Sequence, residues 1–445
     1  MNISHLECIG CGKQYDTRHG RPRCDCGDLL SVEHDLERLA RTHPDLRATF
    51  DRRRGAMTAP DASGVWRYRE LILPDLPEGD IVSLPEGNTP LYRRAAVERF
   101  LDLERVLIKH EGENPTLSFK DRGMTAGVSW ARHLGARLVA CASTGDTSAA
   151  MACYAAAADL PAAVLLPHEK VSMEQLAQAM CYGARVLALQ TDFDGCMRLV
   201  RELTEDGSVY LLNSMNPFRI EGQKSIGIET VHQLGWNVPD WFVIPVGNAG
   251  NISALGKGLL ELHRLGLIQR LPRIAGVQAS AADPLYQSFA QGFGRRVRIT
   301  AGDTVASAIR IGDPVSYHKA RAAVQQLDGV VTRVDDDDAL EAMAAVDAAG
   351  VHICPNSAVA VAGARRLRRE GVIEKNDQVV IIATAHGAKF SQAALDYHGG
   401  EGPDGRGGGA SLASGAERGK REPRFRNPPR TLEPTLEAVR GALGL

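Results

Sequence analysis

The sequence predicts an α/β protein built on parallel sheets, with a small cysteine-rich module at its amino terminus. Between residues 137 and 189, short apolar runs alternate with runs of helical length. This alternation is typical of parallel strands joined by helical crossovers. It returns at 241–267 and at 329–350, and a last buried strand is expected at 378–387. Four cysteines lie within the first 26 residues.

The composition is that of a globular protein and excludes two other classes. The chain has 445 residues, of which 44% are hydrophobic and 24% charged. Its 52 basic and 54 acidic residues give a net charge of −2, which argues against a broad nucleic-acid-binding face. No run approaches the ~18 apolar residues of a membrane span, and the start lacks a secretory signal pattern. We therefore expect a cytoplasmic enzyme with no nucleic-acid or membrane partner.

The amino-terminal cysteines form two close pairs, Cys8/Cys11 and Cys24/Cys26, with twelve residues between them. Two short cysteine hairpins supply the four soft ligands of a tetrahedral zinc ion. Four thiols without metal remain the alternative, because the second pair is C-x-C rather than C-x-x-C. The nine cysteines of the chain do not resemble a disulfide framework. We read the run Asp335–Asp338 as a helix start, since acidic residues are favourable there.

Lys120 is the candidate nucleophile, in the segment ENPTLSFKDRGMTAG at 113–127. A lysine amine that is partly removed from water near cationic or dipolar groups has a lowered pKa and becomes nucleophilic. An ordinary surface lysine is the alternative.

Two strand-to-helix turns are candidate anion sites. CASTGDTSAAM (141–151) brings hydroxyls and free N–H groups to a helix start, and VGNAGNISALGKG (246–258) adds glycines that let amides close around an anion. A simple N-cap and a tight turn are the respective alternatives. NSMNPFRIEGQKS (213–225) adds Arg219, and Thr384 follows the last buried strand. A reactive lysine, two anion sites and a strand-end hydroxyl together fit pyridoxal phosphate, which forms a Schiff base with lysine.

On these motifs the chain resembles the threonine synthase family of fold-type II pyridoxal-phosphate enzymes over roughly residues 85–400. NPTLSFKDRGM is similar to the cofactor-lysine motif, ASTGDTSAA to the substrate-carboxylate loop and GNAGN to the cofactor-phosphate loop. The resemblance implies two open parallel-sheet domains of the tryptophan-synthase-β-like kind plus a small ribbon with four cysteine ligands. The expected segments are a ribbon over 1–35, a helical connector over 36–84, a large cofactor-binding domain over 85–130 and 215–398, a small α/β domain over 131–214, a flexible Gly-rich insert over 399–422 and a helical tail over 423–445.

The resemblance also implies a role for each site residue. Lys120 would hold the cofactor as an imine, and Thr384 would meet its pyridine nitrogen. Asp146 would lie near the ring 3-hydroxyl, where many family members have asparagine. Leu117 departs from the glycine usual three residues before the lysine. The remaining roles are a cofactor-phosphate cradle of Gly247, Asn248, Ala249, Gly250 and Asn251, a carboxylate site of Ser143, Thr144 and Thr147, and a substrate-phosphate site of Asn213, Ser214 and Arg219.

The implied activity is that of a carbon-oxygen lyase acting on phosphates, which converts O-phospho-L-homoserine and water to L-threonine and phosphate. A cysteate synthase or a threonine or serine dehydratase on the same scaffold is the first alternative. The phosphate-binding segment around Arg219 argues against a dehydratase, whose substrate carries no phosphate. A non-catalytic zinc-ribbon binding protein is the second alternative. A homodimer is common for this scaffold, although the sequence itself leaves the oligomeric state open.

Overall fold

The computed structural model describes residues 2–20, 22–143, 145–168, 173–191, 193–204, 209–399 and 423–445. Thr144 and, apart from Gly399, the predicted Gly-rich insert lie outside the described residues. The strands are β1 (Ser4–Cys8), β2 (Gln14–Tyr15), β3 (Leu30–His34), β4 (Leu91–Tyr92), β5 (Arg105–His110), β6 (Leu138–Cys141), β7 (Ala162–Pro167), β8 (Arg185–Leu189), β9 (Val209–Leu211), β10 (Trp241–Pro245), β11 (Arg273–Ala279), β12 (Val330–Val334) and β13 (Gln378–Ala383).

The α-helices alternate with these strands through most of the chain. They are α1 (Leu36–Thr42), α2 (Leu46–Arg53), α3 (Arg69–Ile72), α4 (Ala95–Leu101), α5 (Lys120–His133), α6 (Asp146–Ala157), α7 (Met173–Cys181), α8 (Phe193–Leu203), α9 (Pro217–Gln233), α10 (Gly250–Arg264), α11 (Pro284–Phe289), α12 (Tyr317–Gln326), α13 (Asp336–Asp347), α14 (Pro355–Arg369), α15 (Ser391–His398) and α16 (Leu436–Leu443).

Two parallel sheets and one small antiparallel sheet organise the described residues. The larger sheet has the order β12-β11-β10-β13-β5-β4, and only its edge strand β4 is antiparallel to its neighbour. The second sheet has the order β8-β7-β6-β9 and is parallel throughout. The order β2-β1-β3 forms the amino-terminal antiparallel sheet. The predicted α/β class with two parallel sheets is therefore confirmed, while the domain boundaries stay predictions.

The central strands of the larger sheet are apolar along their whole length because helices cover both faces. Every residue of β10 is buried, and Val243 pairs in register with Ala275 on one side and Ile381 on the other. Continuous apolar runs are what parallel, doubly covered strands require. α14 packs on one face, and α9, α10 and α12 stack on the other.

Several predicted element boundaries are confirmed. The aspartate run begins α13, with the Asp335 carboxylate accepting a hydrogen bond from the Asp338 N–H at 2.9 Å. The carboxy-terminal helix begins after Thr435, whose hydroxyl caps it. The connector over 36–84 contains α1, α2 and α3 but also long irregular stretches. Within the described ranges, no helix has the length and apolar character needed to cross a membrane.

The amino-terminal sheet docks on the helices of the larger sheet through buried charges. His34 Nε2 lies 3.0 Å from Glu221 Oε2 on α9, and Lys319 Nζ donates to the Leu30 carbonyl at 2.8 Å. Lys257 on α10 donates to the Val32 carbonyl. Burial alone raises the pKa of Glu221, but the neighbouring lysine ammonium groups hold it well below its ordinary value. The ribbon is thus fixed to the helix that carries Arg219.

Candidate active site

Lys120 is the first residue of α5, and the backbone before it is tied to the end of β13. The Phe119 N–H donates to the Thr384 carbonyl at 2.9 Å, and the His386 N–H donates to the Leu117 carbonyl at 3.0 Å. Leu117 has a φ of 64°, a left-handed conformation that glycine adopts at little cost. Leu117 adopts this conformation in a turn whose two ends are tied to the residues after β13.

A buried cluster of charges fixes the start of α5 immediately after Lys120. Arg122 donates to both Glu111 oxygens, at 2.6 and 2.8 Å, and to Glu229 Oε1 at 2.9 Å. Lys109 also pairs with Glu229. All four side chains are fully buried. Two cations and two anions therefore compensate one another away from water, which is the condition under which such burial is tolerated.

The pKa of the Lys120 amine is lower than that of an ordinary lysine. A lysine that acts as a nucleophile at neutral pH needs such a lowered pKa. Burial is the largest cause and lowers the pKa of Lys120 to about 7, while the Asp146 carboxylate opposes this shift. The Arg219 and Lys389 cations lower it further. The charges that act on the amine at neutral pH therefore come from three different elements, namely α6, α9 and the turn after β13.

The phosphate-binding candidate is the turn from β10 into α10. Ala249 has a φ of 65°, and a Cβ placed on Gly247 would lie only 2.9 Å from the Ile309 Cα. The Asn248 carbonyl accepts the Ser316 N–H at 3.0 Å, which fixes the turn. The first N–H groups of α10 have no partner within the helix. Asn251 is buried, and neither polar atom of its side chain has a partner among the described residues.

Arg219 is a buried cation without a carboxylate partner in the described part of the chain. It lies in the first turn of α9, where the Asn216 side chain accepts the Arg219 N–H at 3.3 Å. Its Nη1 donates to the Leu212 carbonyl at 3.0 Å, while its Nε has no described partner. Burial lowers the pKa of Arg219 to about 10. An arginine in this state is suited to bind an anion with two parallel hydrogen bonds.

The two candidate phosphate sites, Arg219 and the turn at 247–251, are neighbours because α9 and α10 pack together closely. A Cβ on Gly250 would lie 3.6 Å from the Ile220 side chain, next to Arg219. α5 packs equally closely on α9, since a Cβ on Gly222 would overlap the Arg122 carbonyl oxygen. Glycine at 222 is therefore required for the distance at which Lys120 and Arg219 interact.

The predicted carboxylate loop follows β6, and Asn213 follows β9 beside it. The Asn213 amide accepts the Ala142 N–H and donates to the Ala142 carbonyl, both at 3.0 Å. Asn213 therefore joins the ends of two strands and keeps one amide hydrogen for a ligand. Ser143 precedes α6, and Thr147 lies in its first turn, where free N–H groups favour an anion. Ser214 is partly exposed, and Thr144 is not described.

Thr384 follows β13 and is held by Ser357 at the start of α14. The Ser357 oxygen accepts the N–H groups of Thr384 and Ala385, at 2.8 and 3.3 Å. With both lone pairs used, the Ser357 hydroxyl must donate, either to Thr384 Oγ1 at 3.3 Å or to Cys354 Sγ at 3.1 Å. The Thr384 hydrogen is then left for another acceptor.

Lys389 is a site residue that the sequence reasoning missed. Its Nζ lies 2.8 Å from Asp146 Oδ1. The available signal was an acidic residue at 146, where many members of the family it resembles carry asparagine, because a buried carboxylate needs a counter-charge. Ser357 and Arg122 were also missed, since their partners are distant in sequence.

Comparison with known proteins shows the family to which this chain belongs. The sequence pattern of the family "Pyridoxal-phosphate dependent enzyme" matches residues 82–385. Threonine synthase 2 of Arabidopsis thaliana is 44% identical over 84% of this chain and 74% of its own length. The threonine synthase of Methanocaldococcus jannaschii is 43% identical over 87% of this chain and 93% of its own length. The chain belongs to the threonine synthase family of pyridoxal-phosphate-dependent enzymes.

Solved structures agree with the fold of a threonine synthase family member. The structure of threonine synthase from Escherichia coli aligns with a TM-score of 0.66 at 19% identity, covering 88% of this chain and 90% of that chain. The processed form of threonine deaminase isoform 2 from Solanum lycopersicum aligns with a TM-score of 0.60 at 23% identity, covering 71% and 88%. At these identities the likeness concerns the fold alone.

The described residues fit the cofactor of this family. The unpartnered Asn251 amide and the free N–H groups of α10 suit a phosphate, the Lys120 amine suits an aldehyde, and the Thr384 hydroxyl suits a ring nitrogen. The individual roles of these residues stay predictions.

Proposed function

We propose that this chain converts O-phospho-L-homoserine and water to L-threonine and phosphate with pyridoxal phosphate bound at Lys120. The observation that carries the proposal is the buried, unpaired Arg219 beside Lys120. The turn at 247–251 offers a site for the cofactor phosphate and the start of α6 offers a site for the substrate carboxylate, so Arg219 supplies a third anion site. A substrate with its own phosphate needs that third site, whereas a dehydratase substrate does not.

Each residue then has a task that its surroundings support. When bound, the cofactor withdraws electrons from the substrate Cα and makes its hydrogen removable. The free Lys120 amine, whose pKa burial lowers to about 7, is in large part neutral near neutral pH and would take and return protons at the substrate Cα and Cβ. Arg219 stabilises the charge of the departing phosphate. The start of α6, with Ser143 and Thr147, holds the substrate carboxylate. The Thr384 hydroxyl pairs with an uncharged ring nitrogen.

Two measurements test the proposal. Borohydride reduction followed by peptide mapping should place the pyridoxyl label on Lys120, and Lys120→Ala should abolish both the label and the near-visible absorption. Lys375→Ala is the matched control, because Lys375 is exposed on a distant turn. A label at another lysine, or none, contradicts the cofactor assignment.

The substrate is tested separately with the loaded enzyme. O-phospho-L-homoserine should release phosphate and yield L-threonine. O-phosphoserine with sulfite, and threonine or serine alone, are the comparison substrates. Faster turnover of phosphoserine with sulfite would instead identify a cysteate synthase.

The same proposal includes a structural zinc ion at Cys8, Cys11, Cys24 and Cys26. The four sulfur atoms lie within 4.8 Å of one another, with Cys8 and Cys26 at 3.4 Å and Cys11 and Cys24 at 3.6 Å. Zn–S bonds of about 2.3 Å in a tetrahedron require sulfur atoms at about this spacing. Elemental analysis should find about one zinc per chain, and loss of that zinc on Cys11→Ser but not on Cys181→Ser is expected. A metal-free purified protein would leave four free thiols.

Cellular context completes the proposal. The chain has nine cysteines and no disulfide among the described residues, and four of the cysteines form the proposed thiolate metal site. This usage fits a reducing compartment, and we place the enzyme in the cytoplasm. A homodimer is the proposed assembly, and sedimentation at micromolar concentration tests it.

A further inference from the structure

Lys389 joins elements of the two parallel sheets at the proposed cofactor site. It lies in the short turn 387–390 after β13 of the larger sheet, whereas Asp146 begins α6 after β6 of the smaller sheet. The ammonium is 2.8 Å from Asp146 Oδ1 and donates to the Thr116 carbonyl at 3.0 Å. A backbone acceptor on one side and a carboxylate on the other fix the direction of the lysine side chain.

The ion pair is shielded from water. The Lys389 side chain is 13% exposed and the Asp146 side chain 11%. Ion pairs on the surface contribute little to folding stability. When one partner of a shielded pair is removed, the other is left as an uncompensated charge that costs stability and acts strongly on neighbouring groups. The Asp146 carboxylate is therefore neutralised by Lys389 rather than by solvent.

Asp146 and Lys389 have opposite effects on the protonation of the Lys120 amine. Asp146 favours the charged form of Lys120, and Lys389 disfavours it. Arg219 from α9 acts with Lys389. Cys354 at the start of α14 would act with Asp146 only as a thiolate, and burial raises the pKa of this thiol. The proportion of Lys120 in its charged form consequently depends on whether the Asp146 carboxylate keeps Lys389 as its counter-ion.

We propose that Lys389 is a positioning residue that orients and neutralises the Asp146 carboxylate beside the nitrogen of Lys120. The pair replaces the uncharged side chain that an asparagine at position 146 would supply. Its role rests on the proposed function, since the nitrogen must carry the cofactor for the pair to matter in the reaction. Lys389 acts through Asp146, so its effect should vanish when the side chain at position 146 is neutral.

A double-mutant cycle on the cofactor-loaded protein tests this. The variants are Lys389→Met, Asp146→Asn, the two combined, and Lys389→Arg as the conservative replacement. The readouts are the pH midpoint of the cofactor absorption change and the dissociation constant of pyridoxal phosphate. Lys389→Gln substitutes for Lys389→Met if that variant does not fold by circular dichroism.

Each substitution has a signed expectation. Lys389→Met leaves an unpaired carboxylate, which stabilises the protonated form of the bond between Lys120 and the cofactor. The midpoint should therefore rise by about one pH unit or more. Asp146→Asn removes the carboxylate that favours the charged form and should lower the midpoint. The combined variant should have nearly the same midpoint as Asp146→Asn, because Lys389 then has no carboxylate to act through, and Lys389→Arg should restore most of the wild-type midpoint.

Two results would overturn the inference, and they differ from failure of the proposed function. Equal shifts from Lys389→Met in the wild-type protein and in the Asp146→Asn variant would mean that Lys389 does not act through the carboxylate. Unchanged midpoints in every variant would mean that Lys389 and Asp146 do not face the bond between Lys120 and the cofactor. Absence of any cofactor band in the wild type would instead refute the cofactor at Lys120, and this inference with it.

Discussion

At the scale of single residues, the surroundings of Lys120 decide its chemistry. The amine is surrounded by charges of both signs, but its removal from water dominates and brings its pKa to about 7. A solvent-exposed lysine would be almost fully protonated at that pH.

The rate at which the apoenzyme combines with pyridoxal phosphate should therefore rise with pH through a midpoint near 7. Only the neutral amine attacks an aldehyde, so a lowered pKa moves the rise to lower pH. Stopped-flow absorbance across pH 5–10 measures it. A midpoint near the ordinary lysine value would mean that the amine is solvated.

Arg219 is the second residue whose isolation predicts an outcome. Arg219→Gln removes the cation from the proposed substrate-phosphate site and should raise KM for O-phosphohomoserine about 100-fold, as expected for one partner of a buried charge pair. The variant should still bind the cofactor, because Arg219 is not part of the 247–251 turn. Steady-state kinetics with Arg219→Lys as the charge-preserving comparison measures this. Loss of cofactor binding instead would place Arg219 in the other anion site.

At the scale of elements, close packing of α5, α9 and α10 brings the two proposed phosphate sites and Lys120 together. The sequence predicted most of the apolar strands that position these helices, including β6, β7, β8, β10 and β13. It missed β5, β9 and β11, because an apolar run as short as residues 106–108 does not by pattern alone distinguish a strand from a buried helical turn.

Gly222→Ala should separate α5 from α9. Its new Cβ would overlap the Arg122 carbonyl, so we expect a loss of roughly 2–3 kcal/mol of unfolding free energy, as for other overpacked sites. Gly441→Ala in α16 is the control, because nothing lies within 4 Å and helix propensity favours alanine by up to about 1 kcal/mol. Denaturant unfolding of both variants measures the difference. Equal stability of the two variants would show that the helices can move apart freely.

At the scale of the whole molecule, the ribbon belongs to the main core. Leu6, Leu30 and Val32 share one buried cluster with Trp66 and residues of α9 and α10. Leu29 joins a second cluster with Ala142 and Met215, which follow β6 and β9. The ribbon therefore contacts elements of both parallel sheets.

Metal removal should in consequence lower the melting temperature of the entire chain in one transition. A ribbon that loses its zinc loses the link between its two hairpins, and the shared core is then exposed. Calorimetry with and without a strong chelator measures the shift, and Cys181→Ser should respond to the chelator as the wild type does. A separate early transition with an unchanged main peak would mean that the ribbon unfolds independently.

The sequence by itself determined the α/β class, and it predicted the cofactor lysine, the anion-binding turns and the zinc-binding pairs of cysteines. These features depend on local order, namely strand periodicity, helix starts and ligand spacing along a few residues. Only the tertiary structure decided that Lys389 pairs with Asp146, that Ser357 orients Thr384 and that Arg122 closes a buried charge cluster. Those contacts join residues far apart in the chain, and the free energy that fixes them comes from burial that no local pattern contains.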